Sequence, residues 1–424
     1  MPTPRAWMAA ASADPVREAA RAASTLPVLR PACTGLILAG GGARAAYQVG
    51  VLKAILHILG QRPGGLHANP FHILCGTSAG AINAAVLACG ADRLALTVQH
   101  MLDVWENFHC NQVYRTDALQ GLSRSGWLSM LSFGLMLARV GRKKRPSLLD
   151  NEPLGELLRG VLDFGRLQAN LAGGVVQALA IAATGYTSGQ HITFYQSAYE
   201  IEPWRRSLRA AVRSEIGVDH LLASSAIPFI FPARRLLVHG EPEWCGDGSM
   251  RQLAPISPAI HLGATRVLIV GGGRTDTEVD PQRRAAGAAY PTLAQIGGHA
   301  LSNIFLDSLD SDIERVTRIN QTLARLPAAE RWRGPLRPVR VLAISPSQRL
   351  DEIAGRHLDS LPGTLRTLLR GMGASADNDE ATGTSFASYL MFEPGYTREL
   401  IALGFGDTLD RSAEVLAFFR TDEE

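Results

Sequence analysis

Residues 71–90, "FHILCGTSAGAINAAVLACG", hold a short apolar run, a glycine-flanked serine and an alanine-rich segment. The apolar run reads as a strand and the alanine-rich segment as a helix. Gly76-Thr77-Ser78-Ala79-Gly80 is therefore G-x-S-x-G at a strand-to-helix junction. The demand at such a junction is steric. A sharp turn forces Ser78 into a strained backbone conformation, and glycines at 76 and 80 keep side chains from colliding there. Ser78 then presents its hydroxyl at a helix N-terminus, where partial positive charge favours negative charge. The pattern alone arises by chance, but in this context it marks a nucleophile.

A second glycine turn precedes it, in residues 36–50, "LILAGGGARAAYQVG". Gly40, Gly42 and Ala45 fit the G-x-G-x-x-G/A spacing of a dinucleotide cradle, which needs an acid about 20 residues further on. No aspartate or glutamate lies between Arg44 and Asp92, so these glycines need another role. A serine attacking an acyl carbonyl generates an oxyanion, and donors must already point at it. Successive N–H groups of the glycine turn, capping a helix that begins near Ala43, can supply them. Arg44 adds a positive charge that could lend field to the site, bind an anionic substrate or pair with a loop.

Activation of the serine is less legible. An α/β-hydrolase places an acid and then a histidine after the nucleophile. His299 falls in a long helical stretch and His357 in the C-terminal segment, and both read as surface or packed residues. The acidic candidate is Asp247, between two glycines in "EWCGDGSMRQLAPISPAIHLGA" (243–264). From the residues alone it is a base or simply the aspartate of a tight turn.

Gly40-Gly41-Gly42-Ala43-Arg44, Gly76-Thr77-Ser78-Ala79-Gly80 and Asp247-Gly248, in that order, resemble the motifs of the patatin-like phospholipases. "SLLDNEPLGELL" (147–158), "LLASSAIPFIFPA" (221–233) and "APISPAIHLGATRVLIV" (254–270) are similar to segments of the bacterial members. The likeness covers roughly residues 34–345. It implies a serine–aspartate dyad without histidine: Ser78 as nucleophile, Asp247 taking its proton, and the amides of Gly41, Gly42 and Ala43, with Arg44, forming the oxyanion hole. Gly76 and Gly80 would frame the nucleophile, and Gly248 would make the turn after the acid. Ala45 and Ser249 stand where the family usually has glycine, or glycine or alanine.

The rest of the chain fits an α/β protein. Apolar runs at 34–40, 71–76, 176–186, 191–196, 266–272 and 339–345 predict strands, several without alternation, as in a mostly parallel sheet covered on both faces. A long helix is predicted over 291–325, with Phe305, Leu309, Ile313, Val316 and Asn320 on one stripe and Asp307, Asp310 and Glu314 on a solvated one. The expected architecture is a three-layer α/β/α patatin-like fold over 31–345, after a flexible leader (1–30) and before a helical C-terminal extension (346–424). The 42 basic and 39 acidic residues give a net charge of +3, which offers no reason to expect nucleic acid. Five scattered cysteines without a C-x-x-C pair argue against zinc and for reduced thiols in the cytoplasm. No metal or organic cofactor is expected.

The expected activity is hydrolysis of fatty-acyl esters, with a phospholipid or other acyl-ester lipid as substrate. Acyl transfer by the same dyad, or a catalytically silent lipid-binding relative, are the alternatives. In "GWLSMLSFGLMLARVGRKKR" (126–145) the fourteen residues between Trp127 and the basic cluster that starts at Arg142 are too few to span a bilayer. It reads either as a peripheral membrane contact, with Arg142–Arg145 on anionic head groups, or as a lid or packing helix.

Overall fold

A computed structural model describes residues 33–62, 68–116, 147–271, 293–327, 330–331, 336–371 and 384–420. The 1–30 leader and the 126–145 segment lie outside the described residues.

The sheet is built from β1 (Thr34–Leu38), β2 (Ile73–Thr77), β3 (Ala178–Gly185), β4 (His191–Ser197), β5 (Arg205–Arg206), β6 (Arg209–Arg213), β7 (Arg234–Val238), β8 (Glu241–Asp247), β9 (Arg266–Val270) and β10 (Arg340–Ile344). Its order is β10-β9-β1-β2-β3-β4-β6-β5, with β8 added to β3 and β7 to β8. From β10 to β3 every pairing is parallel; β4 then runs antiparallel to β3. All six predicted runs form strands, and the sheet is mostly parallel as expected. Leu36 and Leu38 join one apolar cluster while Ile37 joins another, so both faces of β1 are covered.

The helices are α1 (Ala46–Gly60), α2 (Ala79–Cys89), α3 (Leu94–Glu106), α4 (Cys110–Val113), α5 (Glu152–Val161), α6 (Phe164–Ala172), α7 (Val218–Ser224), α8 (Ser257–Leu262), α9 (Leu293–Ala324), α10 (Leu350–Arg356), α11 (Gly363–Gly371), α12 (Thr384–Leu390), α13 (Pro394–Asp410) and α14 (Ser412–Phe419). α8 and α9 supply the cluster on the Ile37 face; the others contribute to the cluster on the Leu36 face. On α9, Leu309 and Val316 are buried, Asp310 and Glu314 are exposed, and Arg318 lies 3.9 Å from Glu314. No single helix among the described residues is long and apolar enough to cross a membrane.

Two features differ from the sequence reading. The β7–β8 hairpin was not predicted, because Glu241, Pro242 and Glu243 hide the apolar alternation. It closes through His239 and Gly240, both at positive φ (53° and 89°), the geometry of a type I′ turn. Asp247, expected inside a tight turn, is instead the last residue of β8; the turn, a 3₁₀ helix over Gly248–Arg251, begins after it.

The C-terminal helices pack into the main cluster. α13 crosses α1 at two glycines. A Cβ on Gly50 would stand 2.0 Å from the Ile401 carbonyl oxygen, and one on Gly404 2.3 Å from that of Tyr47. The Tyr47 hydroxyl donates to Asp407 at 3.0 Å beside this crossing. Gly404→Ala should therefore cost about 1–3 kcal/mol by forcing the helices apart. Gly406→Ala, on the same helix with no atom within 4 Å of its Cβ position, should be neutral or stabilising. Urea unfolding of the two variants side by side checks this.

Candidate active site

The site is built on one edge of β3. Its opposite edge is taken by β4 over Ala178–Thr184. On the free edge β2 pairs as far as Thr77 opposite Ala182. At the next position, Ala183, the partner is Asp247, followed by Gly246 opposite Thr184 and Cys245 opposite Gly185. β8 thus takes over the edge where β2 leaves it, running the other way. Neighbouring residues on a strand are about 3.3 Å apart. The ends of β2 and β8 therefore meet, and Ser78, one residue past β2, is set beside Asp247.

Ser78 has φ 54° and ψ −129°, strained for a side-chain-bearing residue, and is buried. Its N–H donates to Ser224 Oγ at 2.9 Å. The flanking glycines are required by close packing. A Cβ on Gly76 would lie 2.4 Å from the Gly80 carbonyl oxygen, and one on Gly80 2.2 Å from that of Leu38. The start of α2 thus rests on the end of β1, which brings the glycine turn alongside the serine. Gly42, at φ 55°, and Ser78 line the same cavity. A 3₁₀ helix over Gly42–Ala45 runs from Gly41 into α1, and Ala43 is fully buried.

Asp247 is fully buried at the end of its strand. Its N–H donates to the Ala226 carbonyl at 3.0 Å, and its Oδ1 accepts from the Ser249 N–H at 2.9 Å. Burial pushes the carboxyl up to about 6, against the opposing influence of the Ser249 N–H and the Ser78 hydroxyl. Oδ2 has no hydrogen-bond partner of ordinary geometry among the described residues. The Ser78 hydroxyl is thus close enough to favour the carboxylate without making a well-formed bond to it; the pair is adjacent and not locked. On β4, burial pushes the His191 imidazole down to about 4, so it is neutral.

Ser224, Ala226 and His191 were missed by sequence reasoning. The first two lie in the "LLASSAIPFIFPA" segment, whose backbone role no pattern announces. His357 Nε2 lies 2.8 Å from Glu399 Oε2, and His299 is exposed; neither lines the cavity with Ser78. No group of three or more His, Cys, Asp or Glu side chains among the described residues could hold a metal ion.

The cavity measures ≈ 110 Å³ and is lined almost wholly by apolar side chains. Ser78, Ile82 and Val86 follow one face of α2 along it, about 12 Å from first to last. Val161 and His100, which also line it, are exposed, so it reaches the surface.

The family profile described as patatin-like phospholipase matches residues 36–260. The chain belongs to the patatin-like phospholipase family. Solved structures similar to it include VipD from Legionella pneumophila, 13% identical with a TM-score of 0.32, covering 91% of this chain and 67% of that one. The ExoU–SpcU complex of the Pseudomonas aeruginosa type III secretion system is 15% identical with a TM-score of 0.27, covering 92% and 77%. No curated protein matches. Relative to the patatin-like region, β9, β10 and α9–α14 lie beyond the matched residues. Arg44, expected in the oxyanion hole, turns its guanidinium to α12, and its N–H bonds the Gly41 carbonyl at 3.1 Å.

Burial of Asp247 gives a stability prediction. The folded state holds this proton to about pH 6, whereas the unfolded carboxyl releases it near 3.8. Where the folded state binds more protons, stability falls as pH rises. Asp247→Asn should accordingly stabilise the protein by up to about 3 kcal/mol at pH 8, with the gain vanishing near pH 4. Denaturation of wild type and variant across that range tests it, since the other titrating groups, His191 included, cancel in the difference.

Proposed function

We propose that this chain is a lipid acyl hydrolase that cleaves fatty-acyl esters through Ser78 and Asp247. The observation that carries the reading is the meeting of a strained serine and a buried, half-satisfied carboxylate at an apolar cavity. The cavity suits an acyl chain, and the carboxyl, raised to about 6, is a far better base near neutrality than an ordinary aspartate.

In this mechanism Asp247 Oδ2 takes the Ser78 proton as Oγ attacks the ester carbonyl. The oxyanion of the tetrahedral intermediate is stabilised by N–H groups of Gly41, Gly42 and Ala43. Collapse breaks the ester C–O bond, and the alcohol leaves with the proton held by Asp247, giving an acyl-Ser78 ester. Water then loses a proton to Asp247 while attacking the acyl carbon. The second intermediate expels Ser78 Oγ, which recovers that proton, and a fatty acid departs.

Fatty-acid release from mixed phospholipid vesicles should fall at least about 10⁴-fold in Ser78→Ala. On a short soluble ester, the wild-type rate should rise with pH through about 6, as Asp247 ionises. A flat profile there, or release that survives in Ser78→Ala, would overturn the mechanism.

The proposal includes peripheral membrane contact through Arg142, Lys143, Lys144 and Arg145, each cation contributing about 1 kcal/mol at an anionic surface. Replacing the four by glutamine should weaken binding to anionic vesicles at low salt; unchanged binding removes this contact.

A further inference from the structure

Tyr389 and Phe392 line the cavity together with Gly42 and Ser78, yet both lie well beyond the family-matched residues 36–260. They belong to a short stretch, α12 and the link from Met391 to Glu393, that is pinned at both ends. At the first end Arg44 Nε donates to Ser388 Oγ at 2.7 Å, Nη1 to the Tyr389 hydroxyl at 3.1 Å and Nη2 to the Ser385 carbonyl at 3.3 Å. The guanidinium also sits 4.0 Å from the Tyr389 ring centroid. At the other end the Leu390 carbonyl accepts from the Tyr114 hydroxyl at 2.9 Å. The Glu393 carboxylate accepts from the Cys110 N–H at 3.2 Å and meets His109 Nδ1 at 2.9 Å.

Between these anchors the stretch presses on the proposed machinery. A Cβ on Gly42 would stand 2.2 Å from the Tyr389 carbonyl oxygen, so the glycine turn and α12 are in backbone contact. The Phe392 ring closes against Trp105, Phe108 and Tyr114 at centroid distances of 6.3, 5.6 and 6.3 Å. An acyl chain attached at Ser78 and running along α2 passes these rings. These rings line the cavity, so its fit to a chain's width is set in part by side chains from outside the family region.

We infer that residues 384–393 form the wall that selects the acyl chain, with Phe392 and Tyr389 as specificity-determining side chains. Arg44 acts as the positioning residue that holds this wall against the glycine turn. The inference rests on the acyl-hydrolase reading and adds what that site discriminates: straight chains enter, and branched chains meet Phe392.

Binding can be read apart from turnover. The Ser78→Ala protein would be loaded with the fluorescent fatty acid cis-parinaric acid, which straight-chain and methyl-branched fatty acids of equal carbon number then displace. The straight acid should win. Adding Phe392→Ala should raise the relative affinity of the branched acid about tenfold, the worth of roughly two buried methylenes. Phe392→Leu, kinder to folding, should move the ratio part of the way. Arg44→Lys keeps the charge and loses the fork, and should shift the ratio in the same direction. An unchanged ratio in the Phe392 variants, or no fatty acid bound at all, overturns the wall. An Arg44→Lys ratio equal to that of the parent overturns the positioning role. Ser78-dependent ester release with an unchanged ratio refutes the wall alone; a shifted ratio without release refutes the hydrolase reading alone.

Discussion

The free edge of β3 is the constraint on which the site depends. Two adjacent residues there, Ala182 and Ala183, hold the ends of two strands that arrive from opposite directions, β2 through Thr77 and β8 through Asp247. Strand spacing then fixes the separation of Ser78 and Asp247 with no need for a contact between their side chains. The surrounding segments enforce the handover. Ser224 Oγ holds the Ser78 amide, and two residues later the Ala226 carbonyl holds the Asp247 amide. A single loop therefore registers both residues against each other. Gly248 completes the junction, because a Cβ there would lie 2.4 Å from the Ala182 carbonyl oxygen.

That geometry sets an electrostatic conflict which the proposed chemistry exploits. A carboxylate with no solvent exposure and one oxygen without a partner is costly in a folded protein. Among the influences on Asp247, burial outweighs the donors that favour its ion, and no neighbouring cation ranks with them. An arginine there would lower the pKa and remove the basicity. His191, also buried, is neutral and adds no charge. In the proposed mechanism, basicity comes from seclusion, which lets an aspartate serve where a histidine is the commoner base.

Much of this was legible in the sequence, for stated physical reasons. The unbroken apolar runs from Thr34 to Ile344 announced buried parallel strands, and G-x-S-x-G announced the elbow because close backbone approach tolerates only glycine. Asp247 was located by resemblance and not by its own pattern. Its strand carries Glu241, Pro242 and Glu243, and pairs with β3 over only a few residues, so neither periodicity nor propensity marks it. Ser224 and Ala226 were invisible for a related reason. Each acts through one backbone group, on a partner far away in sequence, and such long-range bonds leave no local spacing.

Arg44 makes contacts that its place in the motif does not suggest. Its place beside the glycine turn suggested a charge aimed at the reacting atoms, yet its guanidinium is occupied by Ser385, Ser388 and Tyr389 of α12. The same turn carries Gly42, whose missing side chain admits the Tyr389 backbone. Farther along α1, Gly50 admits the backbone of α13. The helix that follows the glycine turn is thus gripped by the C-terminal helices at successive points along its length. Rigidity of the turn, which any preorganised donor set requires, is supplied from the opposite end of the chain. The C-terminal helices are therefore part of the site's foundation, and changes in them should reach the site through α1.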